Sequence, residues 1–282
     1  MRSEEIDTEK PLSLRAGDES GGFPLMPRPS PLTGFWTLFR KEWMRFWKVR
    51  VQTILAPVLT ALLFLVVFAH SLRGRVEIFP GVDYAAFLVP GLAMMAVLQN
   101  AFANSGSSLM QSKMTGNIVF VLLPPLSHQE FFAAYLLAAA ARGMVVGAGV
   151  FLATVWFVDL RLDHAAWSVA FALAGSGVMA ALGIVAGIYA DKVDELAAFQ
   201  NFIILPLTFL SGVFYSIGSL PPFWQALSHL NPIFYIVDGF RYGFFGVSDV
   251  SPWVSFGIVC ASLFALSFLN LWLLRSGYKL RA

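Results

Sequence analysis

Residues Leu220–Gly243 read LPPFWQALSHLNPIFYIVDGFRYG. The stretch is long and apolar enough to invite reading as a membrane span, and that reading decides how often the chain crosses. Yet it carries three prolines, a His, an Asn, an Asp and an Arg. Pro221–Pro222 can open a short helix, because Pro is tolerated in a first turn. Asn231–Pro232 ends it, because a residue before Pro avoids the α region. Asn231 can then cap a second short helix. The expectation is two short helices that dip in from the outer side and return. Irregular backbone at that depth is tolerated only where protein or water covers it. Asp238 and Arg241, three residues apart, are expected to pair and so lower the cost of both charges. An ordinary extracellular loop is the poorer reading, since Phe223, Trp224, Ile233, Phe234, Tyr235 and Phe240 need burial.

The whole chain supports a membrane setting. Of 282 residues, 57% are hydrophobic and 13% charged, against about 25% charged in soluble domains. Mean hydropathy is +0.70. The fold class read from this is an all-α integral membrane protein. A net charge of +2 gives no reason to expect nucleic acid as a partner. The single cysteine, Cys260, cannot form an internal disulfide. The start, MRSEEIDTEK, is acidic and polar, unlike a secretory signal. Residues 1–31 hold six acids and four bases among Pro, Gly and Ser, and are expected to be a disordered cytosolic tail.

Residues 32–50 are expected to form an amphipathic helix in the membrane interface. At 100° per residue, Phe35, Trp36, Phe39, Trp43, Phe46 and Trp47 share one face, and Arg40, Lys41, Arg45 and Lys48 lie opposite. The aromatics would sit in lipid and the cations toward headgroups. Residues 51–282 then form a domain of six spans, at about 51–71, 84–106, 131–157, 166–189, 197–217 and 253–274, each near the ~20 residues a crossing needs. The re-entrant segment occupies 218–246. With both termini inside, ten bases (Arg40, Lys41, Arg45, Lys48, Arg50, Lys113, Lys192, Arg275, Lys279 and Arg281) face the cytosol. Four (Arg73, Arg75, Arg161 and Arg241) face outward, which obeys the positive-inside rule. Ala139, Gly143 and Gly147 repeat every four residues, as do Ser176 with Ala180 and Gly183 with Gly187. They mark close helix contacts or reflect plain Ala/Gly richness. Pro57, Pro90 and Pro206 should kink or open their spans.

Several polar groups need a reason. Asn100 and Asn104 lie deeper than the neighbouring Ser107, Ser108 and Gln111, so they bond a neighbouring helix or face a polar pathway. Arg142, eleven residues into the third span, is expected toward the bundle interior or a wet cavity, as an anchor or in transport. Glu42 wants a cation: Arg45 at i+3, or a base of the inner loops. Asp191, Asp194 and Glu195 read as solvated charge. There is no GxxxxGK[ST] loop, so the chain does not itself cradle ATP phosphates. His70, His128, His164 and His229 are not spaced as metal ligands. No nucleophile–base pair suggests an enzyme, and no inverted repeat suggests a secondary carrier.

In order along the chain stand FRKEWMRFWKVR before the first span, FLVPGLAMM (Phe87–Met95), KMTGNIVFVLLPPLS (Lys113–Ser127), PLTFLSGVFYSIGSLPPFW (Pro206–Trp224) and NPIFYIVDGFRYGFFG (Asn231–Gly246). This set, covering about Phe39 to Arg281, resembles the membrane subunit of bacterial type-2 ABC transporters. The resemblance implies a permease in the bacterial inner membrane with both termini cytoplasmic, dimeric as identical or related chains. It implies a cytosolic ATP-binding partner in two copies, which would hold the Mg-ATP, so no cofactor is expected here. It implies that the interfacial helix and inner loop receive the ATPase motion, with Glu42, Arg45, Lys113, Gly116, Asn117 and Ile118 at the coupling site. Val119 and Phe120 stand where relatives often carry a polar or acidic residue. The re-entrant helices, with Pro221, Asn231, Pro232, Asp238 and Arg241, would form an outer gate. Asn100, Asn104, Asn201 and Phe209 are the candidates for lining the pathway. The cargo expected is amphipathic, lipid-linked, a glycan or drug-like, and export is the favoured direction. An ATPase-independent carrier and a membrane assembly factor are the rival classes.

Overall fold

The computed structural model describes residues 31–72, 81–119, 126–277 and Lys279. The expected tail up to residue 30, the outer bases Arg73 and Arg75, the loop stretch 120–125 and Arg281 lie outside the described residues. The chain is helical: α1 (Pro31–Lys48), α2 (Arg50–Leu72), α3 (Tyr84–Met114), α4 (His128–Thr154) and α5 (Ala165–Tyr189) come first. α6 (Val193–Phe199), a π-helical turn (Gln200–Ile204) and α7 (Leu205–Phe209) follow, then α8 (Pro222–His229), α9 (Pro232–Phe245) and α10 (Pro252–Ser276). Arg50–Phe68, Tyr84–Met114, His128–Phe157, Ala165–Tyr189 and Pro252–Ser276 are each long and apolar enough to cross a membrane.

The segment expected as a straight span at 197–217 differs. It is helical only from Val193 to Phe209 and passes through the π turn, where the Leu205 N–H bonds the Gln200 carbonyl. Pro206 has no N–H to bond back, so the ladder is already broken there and a wider turn absorbs the mismatch. Beyond Phe209 the chain bends through Gly212, whose φ of +80° favours glycine.

α3 is the axis of the molecule, buried along most of its length between α4 and α5. The small residues explain how. A Cβ on Gly143 would stand 2.7 Å from the Val97 carbonyl, and one on Gly147 would stand 3.2 Å from that of Ala93. On the other side, a Cβ on Gly187 would lie 2.9 Å from the Gly106 carbonyl. The Ser105 hydroxyl donates to Ala180 O at 2.8 Å. These are backbone-to-backbone approaches that larger residues forbid, so both four-residue repeats are packing stripes.

α3 and α4 run further on the inner side than expected. α3 continues to Met114, and α4 starts at His128, set by a capping box between Ser127 and Glu130. These extensions bury Leu109, Phe131 and Tyr135 together with Leu38 of α1 and Ile188 of α5. By contrast α2 and α10 are peripheral and leave Leu59, Leu63, Phe264 and Phe268 exposed. Apolar side chains so exposed suit contact with lipid or another membrane chain.

Candidate functional site

One end of the bundle is built on α1. Leu38, Glu42 and Phe46, four residues apart, form the face that meets the bundle. Trp36 and Trp47 stay exposed on another side, as an interfacial helix needs. Glu42 is only 1% exposed. Its Oε1 lies 3.2 Å from Lys41 Nζ and its Oε2 lies 3.2 Å from Arg45 Nε. Of the partners considered from sequence, the local Arg45 is the one found, with Lys41 beside it.

Arg45 does not point toward headgroups as expected. Its Nη2 donates to the backbone carbonyl and to the side-chain Oδ1 of Asn104, both at 2.8 Å. Arg142 Nη1 donates to the same Oδ1 at 3.0 Å, and its guanidinium lies 5.7 Å from the centre of the Phe46 ring. The reason Arg45 turns inward is that Glu42 and Asn104 together satisfy it, where bulk water would offer only exchange. Arg142 therefore faces the bundle interior, as expected, level with Phe46 near the C-terminal end of α1. Asn104, 1% exposed, bonds neighbouring helices.

The loop after α3 is anchored at two points. Gly116 adopts φ +69°, and Ile118 then turns into the apolar cluster beside Leu38. Asn117 and Val119 remain exposed. Lys113 Nζ donates to Ile188 O at 2.7 Å, to Ala190 O at 2.9 Å and to Asp191 Oδ1 at 2.8 Å. It thus caps the C-terminal end of α5, where a cation is favoured. Lys279 Nζ reaches Tyr189 O at 3.1 Å and Asp191 Oδ2 at 2.6 Å. Bonds from Lys113 and then Lys279 hold the Asp191 carboxyl down at about 2. Asp191, expected to be simply solvated, joins the ends of α3, α5 and α10. No local spacing in the sequence could have signalled a tie over such separations.

At the other end, Asp238 and Arg241 are each 2% exposed. The expected pairing between them is absent. Arg241 Nη2 donates to Gly212 O at 3.0 Å and Val213 O at 3.3 Å, and its guanidinium lies 3.7 Å from the centre of the Phe87 ring. Asp238 accepts the N–H groups of Asp249 at 2.8 Å and Val250 at 3.1 Å. Three positions along α9 aim one residue at α3 and the other at the turn into α10; backbone groups meet the Asp238 carboxylate and Arg241 Nη2, while the buried Arg241 Nε is left without a hydrogen-bond partner. Gly91 makes room: a Cβ there would stand 2.7 Å from Val213 O and 3.1 Å from Arg241 Nη2. This gives the Pro90–Gly91 pair of FLVPGLAMM its purpose.

Other bonds close the clamp at this end. Asp249 accepts the Ser216 hydroxyl at 2.6 Å and the Ile217 N–H at 3.2 Å. The Tyr84 hydroxyl donates to Phe214 O at 2.9 Å. Asn231 accepts the Ile233 N–H at 3.0 Å as the cap of α9, and its Nδ2 donates to Leu207 O at 2.6 Å. Pro221 precedes α8 and Pro232 opens α9. Tyr84, Ser216 and Asp249 were not legible as site residues, because their partners are mostly backbone groups far away in sequence. Of the pathway candidates, Asn104 is enclosed, whereas Asn100 is half-buried and donates to Ala96 O at 3.1 Å. Asn201, in the π turn, and Phe209 are exposed.

Known proteins share this arrangement of sequence. A family model described as ABC-2 type transporter matches residues 33–245, from the start of α1 to the end of α9. The chain is 38% identical over 247 residues to the inner membrane transport permease YadH of Escherichia coli strain K12, covering 87% of this chain and 96% of that one. Nodulation protein J of Sinorhizobium fredii is 28% identical over 215 residues, covering 72% of this chain and 78% of that one. Nodulation protein J of Rhizobium meliloti is 24% identical over 244 residues, covering 84% and 91%. The long apolar helices and the YadH likeness make this a multi-pass protein of the inner membrane. The chain belongs to the ABC-2 type transporter family, as a permease subunit.

Proposed function

We propose that this chain forms the translocation pathway of an ATP-driven exporter. Two copies pack together on two cytosolic ABC ATP-binding subunits, which hold the Mg-ATP and hydrolyse it. Each copy crosses six times, counting α6–α7 as the fifth crossing, and keeps both termini inside. α8 and α9 are the re-entrant pair. The cargo is amphipathic: a lipid-linked molecule, a glycan or a drug-like compound.

The observation that carries this reading is the buried Glu42. A helix that merely floats in the interface has no use for an enclosed carboxylate. Here it locks α1 against α3 and α4 through Arg45, Asn104 and Arg142. Ile118 secures the inner loop to the same cluster. A push on α1 or on the exposed Asn117 and Val119 therefore reaches the axis helix as a rigid-body movement. Closure of the ATP-binding subunits supplies the differential affinity that shifts the bundle between inward and outward states. The clamp around Arg241 and Asp238 then acts as the outer gate.

Co-purification of the chain with an ABC ATP-binding subunit from the same cells is the direct test. The Glu42→Gln variant should still bind that ATPase. Coupling between bundle and ATPase should fall about tenfold, within the range usual for linked sites. It is read as the loss of permease-dependent ATP hydrolysis in lipid. Hydrolysis that stays fully permease-dependent in the variant refutes the lock.

A further inference from the structure

The cluster at the α1–α2 junction is unbalanced. Lys41, Arg45 and Arg142 bring three cations and Glu42 one carboxylate. The Glu42 oxygens lie at ion-pair distance from Lys41 and Arg45, each at 3.2 Å, without hydrogen-bond geometry. Arg142 has no carboxylate within ion-pair distance among the described residues, and its buried Nε has no partner. Arg45 and Arg142 instead share one neutral acceptor, Asn104 Oδ1. Two guanidinium groups on one amide oxygen repel each other and call for an anion.

A cavity of about 230 Å³ begins one helical turn further along the same face of α3. Asn100 and Gln99 stand at its polar end, and Pro57, Ala61, Leu92 and Met95 give it apolar walls. Ala56 and Thr60, which also line it, are exposed, so it opens at the surface of the bundle between α2 and α3. Arg50 stacks over Trp47 at 4.6 Å nearby, the kind of aromatic–cation pair that marks a membrane interface. An excess of positive charge thus lies at interface depth, with an apolar slot leading from it into the bilayer.

We propose that this junction binds one anionic phospholipid of the inner leaflet. Its phosphate occupies the arginine side of the cluster, at Arg142 and Arg45, and an acyl chain fills the α2–α3 cavity. The lipid reduces the cluster's excess of positive charge from two to one and gives Arg142 the anion it lacks. The site belongs to the membrane chain alone, so it stands or falls independently of the ATP-binding partner.

The test uses the purified full chain in detergent with added phosphatidylglycerol or phosphatidylcholine, read by native mass spectrometry and thermal unfolding. Phosphatidylglycerol should be retained preferentially and should raise the unfolding temperature. Arg142→Gln should weaken its retention about fivefold, the change one basic side chain makes at an anionic leaflet. Arg142→Lys should keep most of it. Ala56→Trp, at an exposed position, should block the cavity and weaken retention without touching the arginines. Equal retention of the two lipids, or retention indifferent to both Arg142→Gln and Ala56→Trp, overturns the proposal. So does inorganic phosphate alone giving the same stabilisation as phosphatidylglycerol, which assigns the arginines to a free anion.

Discussion

Arg241 carries a full charge into the protein and meets no carboxylate there. Its Nη2 bonds and the face of Phe87 hold it in place of Asp238, with Nε left unpartnered. Arg241→Met keeps bulk but orphans the Gly212 and Val213 carbonyls, at about 1–3 kcal/mol for each unpaired group. Thermal unfolding in detergent should show the loss, and export should fall with it. An Arg241→Met protein as stable as the parent would mean the clamp is ornamental. Gly91→Ala should destabilise by about 1–3 kcal/mol through crowding, since its new Cβ meets backbone and not a movable side-chain tip. Asp191 makes a pH-dependent prediction. Its folded pKa, about 2, is depressed below the ordinary value of 3.8. The tie to Lys113 and Lys279 is therefore fully present above about pH 4 and is lost as pH falls through about 2. A spin label at Ser276→Cys, in a Cys260→Ser background, should gain mobility over that acid window. In Asp191→Asn it should already be mobile at pH 7. Cation and carboxylate positions were legible in sequence, but not which of them would meet. Asp238 with Arg241 obeyed a sound local rule and still lost, because nearby backbone groups offered each a better-aligned partner.

Among the elements, α2, α5 and α10 were the most legible and the α6–α7 run the least. The periodicity of residues 34–50 marks an amphipathic helix correctly, and Trp36 and Trp47 do remain outside. What periodicity missed is that Phe46, expected in lipid with the other aromatics, joins Leu38 and Glu42 on the face that packs against the bundle. An aromatic stripe shows where lipid is wanted, but a helix between lipid and protein has two contacting faces. The four-residue stripes on α4 and α5 held up because backbone approach is set by side-chain size alone. Gly143→Leu should therefore push α4 off α3 and abolish a monodisperse peak in gel filtration. Val145→Leu, on the less enclosed side of the same helix, should be tolerated. In α6–α7, Pro206 announced a disturbance but not its form. Whether a proline ladder gap ends in a kink, a π turn or a stop depends on what packs around it.

Across the whole molecule, one buried axis helix carries contacts toward both ends: Arg45 and Arg142 at Asn104, Arg241 and Tyr84 near its N-terminal end. A shift of α3 thus loads both clamps together, which suits a bundle with two arrangements better than a continuously flexible one. With an even number of crossings, green fluorescent protein should fluoresce when fused at either terminus, and alkaline phosphatase at either terminus should be inactive. Activity of a phosphatase at one end only would remove one crossing. Hydropathy, the distribution of bases and the order of motifs determined by themselves that this is a helical, multi-pass permease of one family. These are sums over many residues, or matches over long stretches, and single errors do not disturb them. Only the tertiary structure decided that Arg142 shares Asn104 with Arg45, that Asp191 is a junction, and that Arg241 and Asp238 serve separate turns. Each of those depends on which backbone carbonyl or N–H lies within about 3 Å, and such distances arise only when distant helices have packed.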